Sequence, residues 1–171
     1  MRDKGARNGS GDLPSPAVTI ETGSATDIPH LLSLEQQGMT SPWTSGALAQ
    51  HLESPGSELL VAIHTQTHKP IGYVAIRRVA DEAEILRLTV EPRSRRRGIA
   101  SQLLAATLHR LRRNATVTCF LEVRDDNSPA LALYQKFSFR TLYSRPSYYA
   151  DGCSALVLAT DLEALPPTDS S

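Results

Sequence analysis

Between residues 84 and 123 the chain reads as strand, helix, strand, and this stretch limits the possible folds more than any other. Glu84 to Val90 carries Ile85, Leu86, Leu88 and Val90, and Gly98 to Arg113 sets Ile99, Leu103, Leu104, Leu108 and Leu111 on one helical stripe. Thr116 to Val123 then alternates, with Val117, Cys119, Leu121 and Val123 pointing one way. Antiparallel neighbours can be joined by a tight turn, whereas a helical crossover of this length joins parallel ones, almost always with right-handed sense. The helix must bury its stripe on the sheet it crosses. The fold class that follows is α/β with a mixed central sheet and flanking helices.

The remaining patterns extend this unit on both sides. Val18 to Thr22 alternates as a strand, and Ser24 to Gln37 places Ile28, Leu31, Leu32 and Leu34 at helical spacing. After the break at Pro42-Trp43, Thr44 is positioned to cap a short helix through His51 or Leu52. Leu59 to His64 and Gly72 to Val79 read as a hairpin around Lys69-Pro70. Ser128-Pro129 offers a cap oxygen followed by proline at the first helical position, which predicts a helix to about Phe137. Arg140 to Tyr143 and Ala155 to Leu158 complete the strands.

Residues 1–16 and 165–171 are rich in Gly, Ser, Pro and Asp and read as disordered tails, leaving residues 17–164 as the folded domain. The total of 171 residues fits one domain at the usual ~150 per domain. Apolar runs such as Leu59 to Ile63 fall far short of the ~20 residues of a membrane span, and the first 16 residues lack the apolar stretch of a secretory signal. Only Cys119 and Cys153 are present, which excludes a disulfide framework and a Cys-rich zinc site, and no two His residues form a metal-ligand pair on a helix. A reduced, cytoplasmic protein without metal is expected.

Lys and Arg number 18 against 18 Asp and Glu, so no global field draws the chain to nucleic acid or a lipid surface. The charge is nevertheless unevenly placed. Arg93, Arg95, Arg96 and Arg97 crowd the turn before the helix that opens at Gly98, where the helix dipole already disfavours cations. An anion would resolve this. Gly98 admits close approach and Ala100 is small, so several N–H groups can converge on a phosphate. A solvated basic turn remains the alternative. The turn lacks interleaved aromatics for RNA, and there is neither a Gly-rich dinucleotide fingerprint nor a Lys-Ser/Thr phosphate loop.

Arg95-Arg96-Arg97-Gly98-Ile99-Ala100, set between an apolar strand and an amphipathic helix, resembles the pyrophosphate motif of the GNAT acetyltransferases. Leu121-Glu122-Val123-Arg124, Asn127, Ala132-Leu133-Tyr134 and Phe139 resemble the RimI-type protein N-terminal acetyltransferases within that family, as do Pro42-Trp43-Thr44 and Tyr148 to Gly152. The resemblance spans Ile20 to Leu158 and implies a sheet whose central parallel strands splay to admit acetyl-CoA. It implies pantetheine pairing with the backbone of Leu88, Thr89 and Val90, and a pyrophosphate site over Arg95, Arg96, Arg97, Gly98, Ile99, Ala100 and Ser101, with Asn127 as a further contact. It implies Glu122 as general base and Tyr134 as the acid that protonates the leaving thiolate. Glu35, Trp43, Arg145, Tyr148 and Tyr149 fall on the acceptor side.

Flanked by Phe120, Leu121 and Val123, Glu122 is expected to be desolvated, with its affinity for protons raised. Cys119, mid-strand without a partner base, reads as packing, which favours direct attack in a ternary complex over a covalent route. The implied acceptor is the N-terminal α-amine of a protein, such as a ribosomal protein. A small-molecule amine, or a non-catalytic CoA- or RNA-binding module, stays open. Departures from the branch are Ala100 for Gly, Ser138 before Phe139, and Cys153-Ser154 where an acidic pair is usual.

Overall fold

In the computed structural model, which describes residues 17–165, every element expected from the patterns is present. The strands are β1 (Val18–Thr22), β2 (Ser57–His64), β3 (Pro70–Val79), β4 (Glu82–Val90), β5 (Thr118–Arg124), β6 (Arg140–Arg145) and β7 (Ala155–Asp161). The helices are α1 (Ile28–Gly38), α2 (Ser45–Glu53), α3 (Ile99–Arg113) and α4 (Ser128–Lys136). Strands run longer than predicted where their outer residues are polar, because ladder pairing continues past the apolar pattern that sequence reveals.

One seven-stranded sheet runs in the order β1-β2-β3-β4-β5-β7-β6. Among its pairings only β4 with β5 is parallel, as the helical crossover through α3 demands. Alternation divides the side chains between two faces. On one, Leu60, Val74, Ile76, Ile85, Leu121 and Leu158 pack with the stripe of α3 into the main core, which Tyr134 of α4 joins. On the other, Leu59, Val61, Tyr73 and Ala75 meet Leu31 and Leu34 of α1 and Leu48 of α2.

Capping follows local chemistry. Thr44 accepts from the Ala47 N–H at 3.2 Å and starts α2 as expected. In α4 the cap sits one residue earlier than predicted: Asn127 accepts from the Ala130 N–H at 3.2 Å, which places Ser128 and Pro129 inside the first turn. Asx and Ser oxygens are about equally good caps, so the pattern alone did not separate them. A 3-10 turn, Ala25–Asp27, precedes α1, with Ser24 and Asp27 bonded reciprocally. The tails at 1–16 and 166–171 lie outside the described residues, but Leu165, assigned to the C-terminal tail, packs against the main core and belongs to the domain.

Candidate active site

The parallel pairing of β4 and β5 runs only from Glu82↔Thr118 to Ile85↔Leu121. Beyond it, Leu86 to Val90 and Glu122 to Arg124 diverge, and a notch opens between the C-terminal ends of the two strands. Here β4 keeps its bonds to β3, with Val90 opposite Gly72 and Thr89 opposite Tyr73, while its other edge has no strand partner. An unpaired strand edge presents amide and carbonyl groups to a ligand. Leu88, Thr89 and Val90 therefore stand where a pantetheine arm would pair with backbone. Their side chains do other work: Thr89 and Val90 are buried, and the Thr89 hydroxyl donates to Glu35.

The mouth of α3 lies beside this notch. Gly98 caps it in the left-handed region (φ +78°) without a side-chain cap bond, and a Cβ built there meets nothing within 4 Å. Arg96 is also left-handed (φ 60°), and no acidic residue occupies the first turn. Such a run of uncapped N–H groups with cations around it suits diphosphate oxygens. These residues fit the diphosphate of CoA: Arg96 and Arg97 flank the mouth, while Gly98, Ile99, Ala100 and Ser101 open the helix. Ile99 is a core side chain and has only backbone to offer.

Arg95 corrects the sequence expectation. Its Nε donates to the Val90 carbonyl at 3.1 Å and its Nη2 to the Gly38 carbonyl at 3.2 Å. That guanidinium ties the end of β4 to the end of α1, where helix carbonyls are left without partners. Asn127, expected at the cofactor, spends its side-chain oxygen on the α4 cap.

Glu122 and Tyr134 lie on opposite faces of the sheet. On β5, Cys119, Leu121 and Val123 point into the main core and Glu122 points away from it. The expected desolvation of Glu122 is only partial. Its side chain is 26% exposed and one carboxylate oxygen lies 2.8 Å from Nη1 of Arg145. Apolar sequence neighbours misled here, because in a strand they occupy the other face or a different row. Tyr134 is buried beside Phe139, with ring centroids 5.7 Å apart. Burial pushes its phenol up to about 12, so it holds its proton throughout the neutral range. Cys119 is fully buried and its thiol is likewise raised by burial to about 12, in keeping with a packing role.

On the face expected from sequence to meet the acceptor, the α1–α2 connection is organised by Glu35, a carboxylate with no exposed surface. It accepts from the Tyr73 hydroxyl at 2.7 Å, the Thr89 hydroxyl at 3.3 Å and the Trp43 amide at 2.7 Å, and Arg87 Nε lies 3.7 Å away. Burial and the adjoining carboxylate together raise the Tyr73 phenol well above its usual value. A substrate cannot touch Glu35, so its expected acceptor contact is replaced by a positioning role. The Trp43 ring faces the Arg87 guanidinium at 5.1 Å and the His51 ring at 5.5 Å, and Arg87 also bonds the Ser41 carbonyl at 2.7 Å. Arg87, Tyr73 and the Thr89 hydroxyl were not singled out from sequence, although an arginine between Leu86 and Leu88, and a glutamate on the Leu31–Leu34 stripe, both signal a buried pair.

The β6–β7 connection forms the opposite wall. Tyr148 and Tyr149 meet edge to face at 5.2 Å, with Arg145 5.6 Å from the Tyr148 ring and Arg124 4.7 Å from the Tyr149 ring. Arg124 also reaches Asp126 at 2.9 Å and Asp151 at 2.8 Å, which clamps this connection to the end of β5 and holds both carboxyls below their usual range. Cys153, in place of an acidic residue, donates to Asp125 at 2.9 Å. Expected acceptor-side residues Trp43, Arg145, Tyr148 and Tyr149 thus ring the face of the notch on which Glu122 lies.

The profile of the acetyltransferase (GNAT) family matches residues 28–139. A Haemophilus ducreyi protein named [ribosomal protein bS18]-alanine N-acetyltransferase is 32% identical over 130 residues, covering 76% of this chain and 88% of its own. The crystal structure of the ribosomal-protein-S18-alanine N-acetyltransferase from Escherichia coli superposes with a TM-score of 0.80 at 26% identity, covering 91% of this chain and 99% of that one. Ard1 from Thermoplasma volcanium gives a TM-score of 0.77 at 30% identity, covering 85% and 97%. With the splayed parallel pair and the open helix mouth, these matches show that the chain belongs to the GNAT acetyltransferase family and is an acetyl-CoA-dependent N-acetyltransferase.

Proposed function

We propose that the acceptor is the N-terminal α-amine of a protein, with Glu122 as its base and Tyr134 as the acid at the leaving group. What supports this reading is the end of the β4–β5 pairing at Ile85↔Leu121, with the part-exposed Glu122 carboxylate as the next residue on β5, together with a buried, protonated phenol at Tyr134 on the other face of the sheet. The relatives named for acting on the alanine of ribosomal protein bS18 support a protein acceptor. A ribosomal protein is the first candidate and cytoplasmic residence the natural setting. No helix among the described residues is long and apolar enough to cross a membrane.

Acetyl-CoA supplies an activated thioester. The chain has to deliver a neutral amine to it, and an α-amine with a pKa of about 7.7–8.0 is mostly protonated at pH 7. Glu122 takes one proton from the bound ammonium and passes it to solvent, the neutral nitrogen attacks the carbonyl carbon, and Glu122 takes the second proton as the new C–N bond forms. When the C–S bond breaks, the Tyr134 phenol gives its proton to the departing thiolate. Each group then returns to its starting state by exchange with solvent, so atoms and charge balance. In the free protein Arg145 holds Glu122; with exposures of 43% and 26% this pair exchanges readily for an incoming ammonium. Direct attack suits a site in which Cys119, on the core face of β5, is buried and protonated.

Incubation with acetyl-CoA and short peptides bearing free Ala or Ser N-termini, the same peptides blocked at the N-terminus, and a panel of small amines tests the proposal. Acetylation of the free peptides alone is the expected mass-spectrometric result. Turnover of small amines without turnover of any peptide would overturn it.

A further inference from the structure

On the face that bears Glu122, α1 and α2 cover β2, β3 and the part of β4 around Arg87 and Thr89, while Glu82, Glu84, Phe120 and Glu122 stay exposed or half-buried. A groove of about 270 Å³ runs there from Glu122 and Arg145 toward the β3–β4 hairpin, with Phe120, Glu84, Arg77, Glu82, Val79 and Tyr143 along it. Two of the four large apolar side chains that the domain exposes, Val79 at 67% and Tyr143 at 49%, stand in this groove, and exposed apolar groups gathered in one depression mark a contact surface.

Its charges are unequal. Arg145 is matched by Glu122 and Arg77 by Glu84 at 3.2 Å, whereas Glu82 has no ion-pair partner among the described residues. Arg78, the nearest other cation in sequence, turns to the Asn114 carbonyl instead. Once an α-ammonium occupies Glu122, the groove retains an acidic end at Glu82.

We propose that this groove seats the third to fifth residues of the acceptor polypeptide and selects a basic side chain among them. This rests on the reading that the α-amine meets Glu122. The register sets the distance: Glu84 is opposite Phe120 and Glu82 opposite Thr118, two and four residues back from Glu122 along the parallel ladder. At about 3.3 Å per residue and about 4.8 Å between strands, Glu84 is about 8 Å and Glu82 about 14 Å from Glu122. An extended acceptor advances at the same rate per residue, which brings its third to fifth residues over these carboxylates. Phe120, Tyr143 and Val79 offer apolar surface to the stems of long basic side chains.

The test uses the full chain and peptides that share an N-terminal Ala but carry Arg, Ser or Glu at positions three to five, with spermidine as a competing acceptor. The Arg peptide should show a KM about threefold to fivefold below the Ser peptide, with a smaller change in kcat, and the advantage should shrink at high salt. Glu82→Gln should reduce that preference and Glu82→Arg should reverse it toward the Glu peptide; Glu82 is exposed, so folding is not at issue. Equal kcat/KM for all three peptides would overturn the subsite while leaving α-amine acetylation standing. Failure of every free peptide would remove both. Glu82-dependent turnover of spermidine in preference to the peptides would overturn the polypeptide as occupant.

Discussion

Replacing Glu35 should disable the acceptor side by releasing the α1–α2 connection. Its carboxylate has no exposed surface and receives three hydrogen bonds, from Tyr73, Thr89 and the Trp43 amide, with Arg87 beside it. In Glu35→Gln one oxygen still serves the two hydroxyls, but an NH₂ group now faces the Trp43 N–H and the charge opposite Arg87 is gone. One unmet buried donor costs about 1–3 kcal/mol. Glu35→Ala leaves all three donors and a largely buried guanidinium without their acceptor, for which about 3–5 kcal/mol is expected. Urea unfolding followed by far-UV circular dichroism measures these losses. Trp43 is the single tryptophan, so its fluorescence reports the connection separately. In Glu35→Ala its emission should shift toward the solvent-exposed value before the fold melts, and the acceptor KM should rise more than the acetyl-CoA KM. Stability within about 0.5 kcal/mol of the parent, with unchanged emission, would refute this reasoning.

Other expectations are narrower. Gly98→Ala meets no neighbour but imposes a side chain at φ +78°, so stability should fall by about 1–2 kcal/mol and calorimetry should show weaker CoA binding as the helix mouth distorts. Tyr134→Phe should retain the fold and lose most of kcat; raised CoA affinity without loss of rate would argue against an acid at this position. Because the folded chain holds the Tyr134 proton to about 12 and the unfolded phenol releases it near 10, stability should be complete below pH 10 and fall as pH rises toward 12. Urea midpoints across that window, compared with Tyr134→Phe, isolate the phenol's share. Arg145→Gln should lower the acceptor KM if its guanidinium competes with the incoming ammonium for Glu122, and steady-state kinetics at fixed acetyl-CoA reads this directly.

The sheet was legible because each strand repeats its apolar residues with period two and each helix with 3.6, and the long crossover between Glu84 and Thr116 demanded a parallel pair. The arginine turn pointed to an anion because cations at a helix start conflict with its dipole. What the pattern could not convey was the destination of particular side chains. Arg95 and Arg96 are adjacent and alike in sequence, yet Arg95 turns back to Val90 and Gly38. Glu122 appeared desolvated because Leu121 and Val123 adjoin it, whereas alternation sends those two into the core and leaves Glu122 with Arg145, 23 positions away. Glu35 carried a visible signal, a charge on an apolar stripe, but its partners come from three other segments and only the fold unites them.

Base catalysis at Glu122 is tested most directly by the rate of Glu122→Gln under saturating acetyl-CoA and a free-N-terminus peptide at neutral pH, with acetyl-CoA affinity measured alongside by calorimetry. If the carboxylate removes the amine proton, kcat falls about 10²–10⁴-fold while acetyl-CoA binds as before. A variant that turns over at the parent rate would contradict that role.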